Sequence, residues 1–281
     1  RLRCSVLGEK RIGPHQFGVR ADIVSTAQQS HEEPLYDASS TVVGADPRAD
    51  HMQRLIPGGM ASWLANIEPI SRDWTGTASV VVYTRAPSNY ELGANGIHHG
   101  TFRFEKGSPL LQSEKSIEAR FQGHSKGSSA KFEWRIQAFS ALHQDFIALG
   151  PSATFAPISH AGQVYTFTAV NAFRTGLEAS VSTSQGAWLA SADGSLLGQW
   201  DISTGLGLPF TTPAQVYSTI GRNLGKNHQL KVACRAIADA KLTARNESPT
   251  EGALLWELAW SFKQKAGTWS MNIHNISNTA W

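Results

Sequence analysis

The residues best suited to chemistry in this sequence are histidines and aspartates, and their spacing does not assemble a site. His98 and His99 are adjacent, and neighbouring residues of a strand point to opposite faces, so the two imidazoles would not share a metal ion. Asp73, Asp145 and Asp201 are far apart along the chain, and none has a nearby partner for paired-carboxylate chemistry. This spacing favours loop, turn and capping roles for these side chains.

Motifs for catalysis or cofactor binding are also missing from the sequence. Cys4 and Cys234 are its two cysteines, which are too few for a disulfide framework and do not form the C-x-x-C pair of a zinc site. The sequence contains no G-x-S-x-G, H-E-x-x-H, G-x-G-x-x-G or P-loop motif. We therefore predict that the protein is not an enzyme and that it binds no metal and no cofactor.

The nine tryptophans suggest two different roles. Exposed aromatic rings on a β-sandwich can stack on sugars, which would make the protein a lectin-like carbohydrate-binding protein. Against this, Trp134, Trp256, Trp260 and Trp269 fall on the apolar phase of their segments, where a position in the core needs no special explanation. The lectin is kept as the alternative function.

The first 20 residues form the most basic window of the chain, with Glu9 as its single acid. Such an arm can neutralise phosphates without reading bases, although a solvated surface tail has the same composition. The residues that would face RNA are Arg1, Arg3, Lys10, Arg11 and Arg20.

Length and composition indicate an ordinary globular protein. The 281 residues are 17% charged and 41% hydrophobic, with a formal net charge of +3. A chain of this length and composition can bury a sizeable core without disulfides. No apolar run reaches the ~18 to 20 residues of a membrane-spanning helix, and the N-terminus lacks a signal-peptide core, so we expect a soluble chain. It begins at Arg1, which fits either a processed product or a trimmed form.

Hydrophobic spacing predicts mostly strands, with one helix. In "GGMASWLANIEPIS" the apolar residues from Met60 to Ile70 recur at helical spacing, which predicts a short amphipathic helix that ends near Pro69. After Gly76, "TASVVVYTR" predicts a buried strand. "KFEWRIQAF" alternates apolar and polar residues, as a strand with one covered face does. For 252–262 a strand is favoured and a helix stays open.

The organisation predicted from these elements has three parts. Residues 1–54 form a basic arm and loops, and whether they also contain the first strands stays open. Residues 55–158 form a jelly-roll-like sandwich, and 159–281 form a second β-rich domain or a protruding extension. The short strands with Gly, Pro, Asn and Ser between them argue for antiparallel sandwiches.

The order of a short helix, Trp74-Thr75-Gly76 and a long apolar strand resembles the jelly-roll capsid proteins of picorna-like RNA viruses. In that family a Trp or Tyr, a polar residue and a glycine precede the first core strand. The later "AFSALHQDFIALGP" is similar to the family's Asp-Phe motif, with Asp145 and Phe146 at the matching positions. The resemblance covers about residues 55 to 158.

The resemblance implies an all-β, jelly-roll sandwich with a short amphipathic helix and a structural, non-catalytic function. It implies a capsid subunit of a non-enveloped positive-strand RNA virus, released from a polyprotein and assembled in the host cytoplasm into an icosahedral virion. The implied partners are other capsid subunits, genomic RNA at the basic segment, and a host receptor or vector.

Overall fold

The computed structural model describes residues 2–28, 34–36, 42–45, 52–67, 74–98, 100–125, 132–155 and 162–280. Of the residues singled out above, Arg1, Pro69, Ile70, Asp73 and His99 lie outside the described residues.

Strands make up nearly all of the regular structure, which confirms the predicted all-β class. They are β1 (Leu2–Ile12), β2 (His15–Gln28), β3 (Pro34–Tyr36), β4 (Val42–Ala45), β5 (Met52–Ile67), β6 (Trp74–Arg85), β7 (Asn95–His98), β8 (Arg103–Lys106), β9 (Glu114–Ser125), β10 (Phe132–Phe155), β11 (Gln163–Gln185), β12 (Trp188–Asp201), β13 (Gln215–Leu224), β14 (His228–Ile237), β15 (Ala253–Gln264) and β16 (Gly267–Ile273). The one helix of the described residues, α1 (Asn89–Gly93), is a short capped turn, and no described helix is long and apolar enough to cross a membrane.

Fourteen of the strands belong to a single sheet, and β3 and β4 pair separately. The order along the sheet is β1-β2-β5-β6-β9-β10-β11-β12-β13-β14-β15-β16, with every neighbouring pair antiparallel, while β7 pairs with β8 and β8 runs parallel to β11. The predicted jelly roll is wrong, because its strands would be shared between two facing sheets. Strands from all three predicted parts of the chain lie in this sheet, and the domain boundaries stay a prediction.

Tight turns explain why consecutive strands lie side by side. Residues Gly186 and Ala187 connect β11 to β12, since Gln185 pairs with Trp188. Gly186 has φ +59°, a left-handed conformation that glycine adopts without strain at the first position of a two-residue hairpin turn. The chain reverses in place and each new strand pairs with the last.

The predicted amphipathic helix is wrong, because its described residues belong to β5. This strand pairs with β2 on one side and β6 on the other, so its backbone groups bond to neighbours and not within a helical turn. Ala61, Trp63, Ala65 and Ile67 lie on one face of the strand at period two. Trp63 and Ile67 therefore fit both periodicities, and pairing with neighbouring strands decided between them.

The strand predictions for the other segments are confirmed. "TASVVVYTR" lies in β6, "KFEWRIQAF" lies in β10 from Phe132 onward, and 253–264 is β15 and not a helix. The small apolar clusters lie where the 86–113 connection meets the sheet: Ala86 packs with Val24 and Ile56, and Leu92 and Leu111 pack with Ile147 and Phe167.

Candidate functional site

The long strands give the sheet two faces of opposite character. Paired residues share a face, so alternate positions can be followed across from β10 to β16. The polar face carries Glu133, Arg135, Gln137, Glu178, Ser180, Ser182, Ser191, Asp193, Ser195, Gln215, Tyr217, Thr219, Gln229, Lys231, Arg235, Glu257 and Ser261. The apolar face carries Trp134, Ile136, Leu177, Val181, Trp188, Leu196, Val216, Ile220, Leu230, Val232, Leu254, Trp256, Leu258, Trp260, Trp269, Met271 and Ile273.

The apolar face is exposed over much of its extent. Trp188 is 53% exposed, Ile220 60% and Trp269 66%. In a sandwich these side chains would be covered by a second sheet, and here no described strand covers them. A continuous apolar surface of this kind requires an apolar environment or a partner.

Charged side chains are rare on the apolar face and all are basic. Followed through β1, β2, β5, β6 and β9 to β16, the described side chains of this face include three charges, on Lys10, Lys115 and Arg222. Each lies near an end of its strand. The middle of the face is therefore free of charge among the described residues.

The two ends of the sheet differ in how the strands are connected. At one end, called the short-turn end, residues 13–14, 186–187, 225–227 and 265–266 make turns of two or three residues. At the other, called the long-connection end, the strands are joined by 86–113, 202–214 and 238–252. This asymmetry gives the sheet a direction.

A charged cluster around the buried Glu114 lies at the long-connection end. The Arg85 guanidinium donates from Nη1 to Glu91 and from Nη2 to Glu114 Oε2, both at 3.0 Å. Glu114 Oε1 lies 3.2 Å from Nδ1 of His143, and Glu114 Oε2 accepts from the Ile147 N–H at 3.5 Å. Glu114 therefore links β6, β9 and β10, and Arg85 extends the cluster to Glu91 of the helix α1.

Two polar atoms beside this cluster are buried without a hydrogen-bond partner. They are Nε2 of His143 and Oγ of Ser116, and the two residues face each other across β9 and β10. The Tyr83 ring lies edge-on to the His143 ring at 6.5 Å. The described residues contain no group of three or more metal-ligating side chains.

A polar cavity of about 470 Å³ opens on the polar face. Arg135 and Arg235 supply positive charge to its lining, and Glu178 and Asp193 supply negative charge. Tyr217, also in the lining, donates from its hydroxyl to Glu257 at 3.1 Å. The mixed charges suit a polar ligand that carries both donors and acceptors.

A larger cavity, of about 820 Å³, is lined mainly by the apolar face, including Trp63, Phe121 and Trp200. Its apolar surroundings suit hydrocarbon better than a charged solute, so the polar face is the better candidate for a functional site.

The 86–113 connection holds a second carboxylate contact. Tyr90 donates from its hydroxyl to Glu105 Oε2 at 2.5 Å. Burial and this carboxylate raise the pKa of Tyr90 to about 12. Nearby, the Arg103 guanidinium lies 4.7 Å from the ring centroids of both Tyr165 and Phe210, so the connections 86–113 and 202–214 meet over β11.

The described basic residues that were predicted to face RNA lie in strands and not in an arm. Arg3, Lys10 and Arg11 lie in β1 and Arg20 lies in β2, while Arg1 is not described. Arg11 and Arg20 are on the polar face and Lys10 on the apolar face. Arg20 pairs with Asp22, with 3.0 Å between Nε and Oδ2.

The Trp74-Thr75-Gly76 motif lies inside β6 and not at a turn. A Cβ on Gly76 would come within 2.8 Å of the Trp74 ring, so the glycine makes room for that ring on the apolar face. The Trp74 ring also lies 6.2 Å from the Trp134 ring. The resemblance implied that this glycine precedes the strand, and it lies within β6 instead.

Asp145 and Phe146 mark a β-bulge in β10. The pairing with β11 shifts register between His143 and Phe146, and Asp145 has φ +57°. The extra residue reverses which face the following side chains occupy. Beyond it, β10 pairs with β11 alone.

Solved structures with this arrangement are transporters and receptors. The "Copper transporter OprC" matches 99% of this chain over 42% of its own, with a TM-score of 0.74 and 18% identity. The FrpB iron transporter from Neisseria meningitidis matches 99% over 41%, with a TM-score of 0.63 and 11% identity. The ferric enterobactin receptor PfeA from Pseudomonas aeruginosa matches 98% over 48%, with a TM-score of 0.63 and 12% identity.

The chain has the fold of the part of each transporter or receptor that it matches. It spans less than half the length of each of the three. No family model matches the sequence, and no curated protein matches it either.

The transporter fold overturns the viral interpretation. The predictions of a capsid subunit from a polyprotein, of a place in the virion, and of sibling subunits, genomic RNA and a host receptor or vector as partners are wrong. The similar structures are transporters and receptors, and fourteen strands of this chain form one sheet. The lectin alternative finds no support among them. The absence of enzymatic activity stays a prediction.

The sequence alone did not reveal the residues of the polar cavity. Arg135, Glu178, Asp193 and Arg235 belong to no motif, and only their shared face unites them. The signal that could have found them is the alternation of apolar and polar residues in "KFEWRIQAF" and in the strands that follow it.

Proposed function

We propose that this chain is part of the wall of an outer-membrane β-barrel that carries a metal ion or a metal chelate across the membrane. Its apolar face contacts lipid and its polar face lines the passage. The observation that carries the proposal is the exposed apolar face, whose three described charges all lie near strand ends.

Outer-membrane β-barrels have short turns on the periplasmic side and longer connections on the outer side. The two ends of this sheet differ in the same way. Alternation of apolar and polar residues along each strand is their sequence pattern as well. On this basis the short-turn end faces the periplasm and the long-connection end faces outward, with the Glu114 cluster supporting the outer connections.

The polar face supports a passage for a charged cargo. The cavity lined by Arg135, Glu178, Asp193 and Arg235 offers both signs of charge, which matches a metal chelate better than an apolar solute. The names of the similar structures refer to copper, iron and ferric enterobactin, and the cargo class is proposed from this support.

Cysteine accessibility along β12 tests the orientation of the two faces. In a background without Cys4 and Cys234, Ala190→Cys on the apolar face and Ser191→Cys on the polar face differ by one position. In lipid vesicles, a water-soluble thiol reagent should label Ser191→Cys and spare Ala190→Cys. Equal labelling of both positions, or the reverse preference, would contradict the proposal.

Uptake by cells tests the cargo class. Cells that depend on this protein should accumulate radiolabelled copper or a labelled iron chelate, and the double variant Arg135→Gln and Arg235→Gln should reduce uptake with normal amounts of protein in the membrane. The matched control is Thr219→Ser on the same face. Unchanged uptake in the double variant would remove these arginines from the passage.

A further inference from the structure

Basic residues outnumber acidic ones in the last four strands and their short turns, where Glu257 is the one acid. Residues 202–238 and 258–281 contain no aspartate or glutamate. Their basic residues are Arg222, Lys226, Lys231, Arg235, Lys263 and Lys265. At the short-turn end of these strands the charged residues are therefore all basic.

Arg222 is the one charge of this group on the apolar face. It lies two positions before Leu224, the end of β13 at the short-turn end. Its guanidinium lies 5.0 Å from the centroid of the Trp188 ring, and it forms no ion pair with a described carboxylate. An exposed cation on an otherwise apolar surface is costly unless an anion reaches it.

Aromatic rings surround Arg222 at the same end of the sheet. His228 stacks on Phe262 with 4.3 Å between ring centroids, and Trp260 lies 5.9 Å from His228. In membrane proteins such rings mark the depth of the lipid headgroups. Lys226 lies just beyond them in the 225–227 turn, where an ammonium would reach the phosphate layer.

We infer, on the basis of the membrane location proposed above, that Arg222 and Lys226 bind the phosphate of an anionic phospholipid at the short-turn end. The guanidinium of Arg222 can donate two parallel hydrogen bonds to phosphate oxygens, and Trp188 holds it in place. The absence of a carboxylate in this region disfavours the ammonium of a zwitterionic headgroup, which has no partner there.

Quenching of tryptophan fluorescence by brominated phospholipids tests the inference. The full natural protein in detergent micelles is titrated with brominated phosphatidylglycerol and, separately, with brominated phosphatidylethanolamine. Phosphatidylglycerol should bind more tightly, and the double variant Arg222→Gln and Lys226→Gln should weaken it by roughly 5-fold for each charge removed.

The matched control is the double variant Lys231→Gln and Lys263→Gln. It removes the same charge from neighbouring strands, but both side chains are on the polar face, so lipid affinity should stay the same. If the two double variants weaken lipid binding equally, net charge alone causes the effect and the inference is overturned.

Two further outcomes separate this inference from the function on which it rests. Displacement of the lipid by inorganic phosphate would indicate a site for free anions and would overturn the lipid headgroup. A protein that enters vesicles without preferring phosphatidylglycerol would refute the inference alone, whereas a protein that does not enter vesicles would refute both.

Discussion

An arginine at Ile220 on the apolar face should distinguish a lipid-facing surface from one that faces water. Ile220 is 60% exposed, so in water a substitution there should change the free energy of unfolding by no more than ~0.5 kcal/mol. In a membrane the cost of the arginine in free energy depends on its depth in the bilayer. Four residues separate Ile220 from Leu224 at the strand end, which is about 13 Å at ~3.3 Å per residue.

At a strand tilt of ~40° this distance corresponds to roughly 10 Å of depth, and the apolar band of an outer-membrane barrel is about 25 Å tall. Ile220 therefore lies near the middle of the band, where arginine costs about 2 to 4 kcal/mol. Ile220→Arg should lower the folding equilibrium constant in lipid by about 30-fold to several hundred-fold.

The assay is reversible unfolding in guanidinium from lipid vesicles, followed by tryptophan fluorescence. The matched control is Ser191→Arg on the polar face, one strand away, in the row that pairs with Thr219. It should cost less than ~1 kcal/mol because its side chain meets water. The reasoning is refuted if the two variants lose equal stability, or if Ser191→Arg loses more.

Two further predictions concern packing and pH. Gly198→Ala should lower the free energy of unfolding by about 1 to 3 kcal/mol, because the new Cβ would overlap the Trp200 ring. Gly194→Ala on the same face should cost less in denaturant unfolding, because its Cβ would lie 3.6 Å from its nearest neighbour. Equal costs would contradict the packing argument. The ultraviolet absorbance difference between the native protein and Tyr90→Phe should titrate near pH 12, and Glu105→Gln should move the midpoint down. Because the pKa of Tyr90 is raised on folding, its contribution to stability should be complete below about pH 10 and lost as the pH rises through about 12. If the midpoint of the Tyr90 titration does not move in Glu105→Gln, the Glu105 carboxylate is excluded as a cause.

The strands could be predicted from the sequence, and the direction of their faces could not. Alternation in Phe132 to Phe139 has the same period whether the apolar residues face a protein core or lipid. Only the arrangement of fourteen strands in one sheet shows that Trp188 and Ile220 have no covering layer among the described residues. The expectation of a soluble chain rested on the lack of a long apolar run, which tests for helices alone.

The predicted helix was wrong and the candidate site was not predicted for a related reason. The apolar residues of β5 fit helical spacing locally, and pairing with β2 and β6, which are distant in sequence, outweighed that preference. The contact of Glu114 with His143 joins residues on two strands. No motif records such a contact, because it depends on register between strands and not on spacing along one of them.

The consecutive pairing of β9 through β16 also bears on how the chain acquires its structure. Each of these strands finds its partner in the strand just made, and the tight turns at 186–187 and 265–266 keep the entropy of closure small. We expect the sheet to grow one hairpin at a time, at rates set by local encounters. The parallel pairing of β8 with β11 joins strands that β9 and β10 separate in sequence, so the outer connections should order last, after the antiparallel sheet has formed.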